Sequence, residues 1–296
     1  MRNKEGIKRI AFLTAFFVVI IAIAFFVTYK EDNRLEVDFL DVGQGDAALI
    51  QTPHHKLILV DAGPPDKKVL RRLGEVLPFW EKHLDLVILT HPHDDHFGSM
   101  ADVLRRYNVA SVMATDYETK QASYSELLKV VEQQKIPVLR PWNSDFVIDN
   151  VHFNFLFPYS SMAKTKLQTA NNASIVFKLS YGTMDFLFTG DAEAPVEEKL
   201  LANNKNDLEA EVLKLGHHGS DTSSTEDFLK TVKPQFAIAS VGINNTFGHP
   251  SPLIINRLAR LGIQFYRTDQ DGTITFFSNG NNLFRSNTCL IGCSSL

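Results

Sequence analysis

The chain has 296 residues, 44% of them hydrophobic and 22% charged, with a formal net charge of −4. That is enough apolar material for a sizeable core, in one large domain or two modest ones. The acidic balance excludes a nonspecific nucleic-acid binder that relies on bulk charge, while leaving a local basic groove open.

Residues 10–29, IAFLTAFFVVIIAIAFFVTY, carry no charge. As a helix they cover about 30 Å at ~1.5 Å per residue, the thickness of a hydrocarbon core. Arg2, Lys4, Lys8 and Arg9 precede them against a single Glu5, and positive charge favours the cytoplasmic side. The expectation is a cytoplasmic tail over 1–9, a single-pass membrane anchor over 10–29, and the remainder outside the cell membrane. The rival is a cleaved signal peptide, because Ala22-Ile23-Ala24 has the small-x-small form of a cleavage site. Cleavage there would leave Phe25-Phe26-Val27 as a greasy terminus.

From residue 35 short apolar runs alternate with tight turns. Strands are predicted at 35–40, 47–51 and 57–60, separated by Gly43-Gln44-Gly45-Asp46 and Thr52-Pro53 and closed by Asp61-Ala62-Gly63-Pro64. A helical period over 66–76 leads to a strand at 86–89. Helices at 98–107 and 124–133 flank a strand at 109–114. β structure returns at 147–157, 174–181 and 185–189. Helix–strand alternation from 194 onward brings strands at 212–215 and 237–240, a helix at 252–261 and a last strand at 274–277. Two blocks of strands with their helices predict two sheets packed face to face, helices outside. No Pro/Gly/Ser-rich linker divides residues 35–280, which read as one domain with 281–296 as a tail. Cys289 and Cys293, the only cysteines, suit a small disulfide or two free thiols.

The chemistry concentrates after the strand at 86–89, in Thr90-His91-Pro92-His93-Asp94-Asp95-His96. Three of the chain's 10 histidines fall within six positions there. Imidazoles and carboxylates crowded this tightly cost desolvation energy unless something pairs with them. A divalent cation does so, and nitrogen with oxygen ligands suits zinc or a similar first-row metal. Further ligands are expected where other apolar strands stop. Asp191, behind Gly190, could bridge two cations. In Gly216-His217-His218-Gly219-Ser220, His217 is read as the ligand and His218 as turned toward substrate. Asp61 and Asp46 could orient metal-bound histidines from behind. Asn245 and His249 could line the pocket.

Asp61-Ala62-Gly63, the His91-x-His93-x-Asp95-His96 run, Thr189-Gly190-Asp191 and His217-His218-Gly219-Ser220 together resemble the metallo-β-lactamase fold superfamily. More narrowly, residues 39–46, Asn172-Ala173-Ser174, residues 213–220 and residues 245–250 are similar to the soluble domain of ComEC-type competence proteins. The resemblance covers nearly all of residues 35–277. It implies an αββα four-layer sandwich with a two-metal site at one sheet edge: His91 and His93 on one ion, Asp95 and His96 on the other, Asp191 bridging, His217 completing the set and Asp61 behind. Asn171-Asn172-Ala173-Ser174 stands where the wider superfamily has a third histidine, which leaves one ion short of a nitrogen and makes manganese an alternative to zinc. Competence channel proteins carry many membrane spans and this chain shows one, so it is not itself a DNA channel. The expected activity is metal-dependent hydrolysis of a phosphodiester, in DNA or in the cell envelope. Asp95 would orient the nucleophile, His218 would donate the proton, and Ser220 or Asn245 would hold the phosphate. The alternatives are a noncatalytic, membrane-tethered metal-binding module and a hydrolase of another ester or lactam class.

Overall fold

The computed structural model describes residues 2–28, 34–143 and 145–286; Cys289 and Cys293 lie outside them. The chain divides into two units, residues 1–33 and 34–296.

The first unit contains the helix Arg2–Thr28. Among the described residues no helix is long and apolar enough to cross a membrane. The anchor expected over 10–29, and the single-pass location with an outward-facing domain built on it, are therefore corrected.

In the second unit, central strands such as Leu57–Val60, Leu86–Leu89 and Val112–Ala114 are apolar throughout and buried on both faces. One sheet has eight strands, in spatial order Leu283–Ser286, Ile274–Ser278, Leu35–Phe39, Ala48–Gln51, Leu57–Val60, Leu86–Leu89, Val112–Ala114 and Val138–Leu139. The other has seven: Gln264–Arg267, Phe236–Ala239, Val212–Lys214, Met184–Phe188, Val176–Tyr181, Val151–Phe157 and Phe146–Ile148. Ile58, Val60, Leu86 and Ile88 of the first sheet share one core with Phe186, Phe188, Val212 and Ile238 of the second. Phe177 and Phe188 stack in that core with ring centroids 4.7 Å apart. The alternate residues Leu57, Leu59, Val87 and Leu89 face outward, under the helices Lys68–Val76, Met100–Arg106 and Ala122–Gln134. Leu187, Leu213 and Ala237 likewise lie under Ala194–Asn203, Glu226–Val232 and Pro252–Arg260. This is the four-layer αββα sandwich, each layer placed by a two-residue or helical hydrophobic period.

Several boundaries differ from expectation for local reasons. The stretch 147–157 is a hairpin, because Asp149 and Asn150 adopt left-handed φ of 53° and 63° and turn the chain between two strands. The expected strand 109–114 is two pieces, and Asn108–Val109 pairs with His83–Leu84 in a separate ribbon. Leu283–Ser286 pairs antiparallel with Ile274–Ser278, within the expected C-terminal tail.

In the first sheet Leu57–Val60 and Leu86–Leu89 run parallel. In the second, Met184–Phe188, Val212–Lys214 and Phe236–Ala239 do so. The turns that carry Asp61, the histidine run, Asp191 and His217-His218 leave the carboxyl ends of these strands.

Candidate metal centre

Backbone geometry brings the turns together. Asp61 leaves its strand at a left-handed φ of 57° and accepts hydrogen bonds at both oxygens, from the Thr90 amide at 2.8 Å and the Thr90 hydroxyl at 2.7 Å. Gly45, at φ 137°, lies so close to the histidine run that a Cβ would sit 2.2 Å from the Asp95 carbonyl oxygen. Only glycine allows that approach. From the other sheet, the Asp191 amide donates to Ser174 Oγ at 3.0 Å. His217 and His218 both adopt left-handed φ, 47° and 55°, a conformation costing about 1–2 kcal/mol for each L-residue.

The side chains converge on Asp191, which is buried. Its Oδ1 lies 3.3 Å from His96 Nε2. Its Oδ2 lies 3.5 Å from His218 Nε2 and 3.8 Å from His91 Nε2. His93 Nδ1 is 3.1 Å from His91 Nε2, and Asp95 Oδ2 is 3.1 Å from His218 Nε2. Two of the three buried histidines have a carboxylate behind them: Asp61 Oδ2 is 2.8 Å from His96 Nδ1, and Asp46 Oδ1 is 3.2 Å from His218 Nδ1. Asp46, His96, Asp191 and His218 each present a ligand atom within 4.8 Å of the others, and all four residues are buried.

The donor set fits a divalent cation. His96 Nε2, Asp191 Oδ1, Asp46 Oδ1 and His218 Nδ1 are buried without a hydrogen-bond partner. The first two approach to 3.3 Å yet are not aligned to bond each other. Unsatisfied buried polar groups cost about 1–3 kcal/mol each, more when charged, and a cation between His96 Nε2 and Asp191 Oδ1 removes that cost there. Charge points the same way. Burial opposes ionisation of Asp191, but His218 and His96 outweigh it and hold its carboxyl well below the usual range. Burial likewise opposes charge on His218, but Asp191 and Asp46 push its pKa up to about 9. His91, buried and beside His96, is held well below the usual histidine value. A neutral imidazole of that kind is ready to bind a metal.

The two adjacent histidines exchange the places expected of them. His218 enters the cluster. His217, a quarter exposed, points instead to Glu193 Oε1 at 3.3 Å and Thr222 Oγ1 at 3.1 Å. Asn172 does not reach the cluster: its Nδ2 donates to Glu193 Oε2 and its Oδ1 accepts from the Glu193 amide, both at 3.2 Å. Ser220 Oγ is turned into its own loop, where it accepts from the Thr222 amide and hydroxyl. Asn245 also ties its own loop, donating to Gly242 O and His249 O and accepting from the His249 amide. The Asn245 side-chain amide is thus engaged within its own loop. His249 packs between the rings of His217 and Phe247, with centroids 5.4 Å and 6.0 Å away.

Sequence reasoning assigned no role to three residues. Thr90 clamps Asp61. Glu193 gathers Asn171, Asn172, Thr222 and His217. Lys214 lies 2.7 Å from Asp46 Oδ2. Its signal was visible: a lone charge between Leu213 and Leu215 in a buried strand, on the face that Val212 turns into the core.

Two face-to-face sheets clad in helices, with buried histidines and carboxylates where parallel strands of both sheets end, define an αββα fold with a potential divalent-metal site. The chain belongs to the metallo-beta-lactamase superfamily, whose family model matches residues 40–242. It is 31% identical over 258 residues to ComE operon protein 3 of Bacillus subtilis (strain 168), covering 81% of this chain and 33% of that protein. It is also 31% identical over 261 residues to competence protein ComA of Neisseria gonorrhoeae, covering 87% of this chain and 35% of that one. The chain thus spans about a third of the length of these relatives. Among solved structures, the metallo-beta-lactamase fold protein YhfI from Bacillus subtilis superposes with a TM-score of 0.56 at 14% identity, covering 83% of this chain and 100% of that one. At that identity the likeness shows the fold alone.

Proposed function

We propose that the chain is a two-metal hydrolase of phosphodiesters, with nucleic acid as the favoured substrate. The observation that carries this reading is Asp191, whose two oxygens face different histidines, His96 on one side and His91 with His218 on the other. A carboxylate so placed suits a bridge between two cations. His91 and His93 would hold one ion and Asp95 and His96 the other, with His218 beside the Asp191 oxygen that faces His91. Zinc is the favoured metal and manganese the alternative. When bound, such ions supply Lewis acidity and a water deprotonated near neutral pH.

The chain's own residues divide the remaining work. Asp95 is partly exposed at the mouth and orients the attacking water. His217, at the rim and backed by the Glu193 carboxylate, takes the proton-donating role first expected of His218. His249 and Phe247 give the mouth an aromatic wall. A competence protein as one relative and a ComE operon product as the other favour nucleic acid over an envelope phosphodiester. They share only part of their length with this chain, and a fold does not fix a substrate.

Hydrolysis of bis-p-nitrophenyl phosphate and of single-stranded DNA, with metal removed and restored, tests the reading. Turnover is expected only with metal. Asp191→Ala is expected to lower it by more than about 100-fold, beyond what losing a supporting partner costs. A metal-loaded, folded protein that cleaves neither substrate would favour a noncatalytic metal-binding module instead.

A further inference from the structure

Asp46 is near enough to the cluster to become a ligand itself, since its oxygen lies within 4.8 Å of the ligand atoms of His96, Asp191 and His218. What it does instead depends on Lys214. The ammonium lies 2.7 Å from Asp46 Oδ2 and donates to Leu215 O at 2.9 Å. The Lys214 side chain is 4% exposed and that of Asp46 9%. The void they share with Thr90 and Gly190 holds only about 10 Å³, room for at most one water. Neither charge therefore has an outlet to solvent, and each depends on the other.

We propose that Lys214 is a positioning residue that keeps Asp46 out of the metal's ligand set and reserves its Oδ1 for His218. The reasoning rests on the metal centre proposed above. Asp46 has two oxygens and three claimants: the ammonium, the His218 ring and a cation. Lys214 occupies Oδ2, and its positive charge repels a cation from that side of the carboxylate. Oδ1 then faces His218 Nδ1 at 3.2 Å and turns Nε2 toward Asp191 and Asp95. His96 is oriented the same way by Asp61, but Thr90 holds that carboxylate through neutral donors. Lys214 thus marks the carboxylate that needs restraint, the one within reach of the metal. Without the ammonium, Asp46 is a hard oxygen donor released beside the site. Hard donors shift a mixed nitrogen–oxygen site from zinc toward manganese.

The test measures zinc and manganese affinities by competition with a chromophoric chelator, and metal content by elemental analysis, in wild type, Lys214→Met, Asp46→Asn and the double variant. Lys214→Met is expected to move the zinc-to-manganese affinity ratio about tenfold toward manganese, within the 10- to 100-fold range of supporting partners. Asp46→Asn is expected to keep the wild-type number of metals with weakened affinity. The double variant, which removes both charges, is expected to return to the Asp46→Asn selectivity. If Lys214→Met does not fold, the double variant must still fold and keep that selectivity. An unchanged ratio in Lys214→Met, the loss of a whole metal in Asp46→Asn, or a double variant with the Lys214→Met selectivity or no fold would overturn the proposal. Wild type that binds no metal would instead sink the metal centre itself.

Discussion

Asp38 carries a pH liability away from the metal centre. Burial raises its pKa to about 6, although a hydrogen bond from Thr275 works against the shift. A carboxyl whose folded pKa lies above its unfolded value stabilises the fold below about pH 4, and that contribution is lost as pH rises through 6. Roughly two pKa units correspond to about 3 kcal/mol. Asp38→Asn removes the titration, so its stability relative to wild type should improve by about that amount between pH 4 and pH 7. Urea denaturation at the two pH values measures this, and a constant difference would refute it. At this scale the sequence was informative about residue types and less so about direction. Histidines 91, 93 and 96, with Asp191, were legible because polar groups crowd where apolar strands stop. The choice between His217 and His218 was not, because two successive left-handed residues turn the second ring inward, and no spacing rule anticipates that. Lys214 was legible only as an anomaly, a charge on the inward face of a strand.

Turns rather than strands assemble the site. The Gly43–Asp46 turn must lie against the histidine run, and Gly45 sets that distance. Gly45→Ala places a methyl group into the Asp95 carbonyl at a strained φ and should cost at least about 1–3 kcal/mol, with weakened metal binding. Gly74, inside the helix Lys68–Val76 with nothing within 4 Å of a new Cβ, makes the contrast. Gly74→Ala should stabilise by about 0.5–1 kcal/mol and leave metal binding alone. Chemical denaturation of both variants checks the pair, and equal effects would show that close approach at Gly45 is not what matters. Central strands such as Leu57–Val60 and Leu86–Leu89 were readable because they are continuous apolar runs, buried on both faces. Val138–Leu139 and Gln264–Arg267 were not, because short edge strands show too few periods and take their structure from neighbours.

Across the whole molecule the candidate centre joins the two sheets. Asp61, His91 and His96 follow strands of one sheet, and Asp191 and His218 follow strands of the other. The layered sandwich was legible from strand and helix order alone. The apolar stretch at 10–29 pointed to an anchor, which the described helix does not support. A cation held by both sheets binds the folded state only, so free metal at 1,000 times its Kd should add about 4 kcal/mol. The most direct test is metal content, with melting before and after chelation, on wild type, His218→Ala and His217→Ala. Wild type should hold about two metals per chain and melt lower once stripped. His218→Ala should lose metal and most of that shift, while His217→Ala keeps both. Less than one metal in wild type, or loss of metal in His217→Ala with retention in His218→Ala, would contradict it.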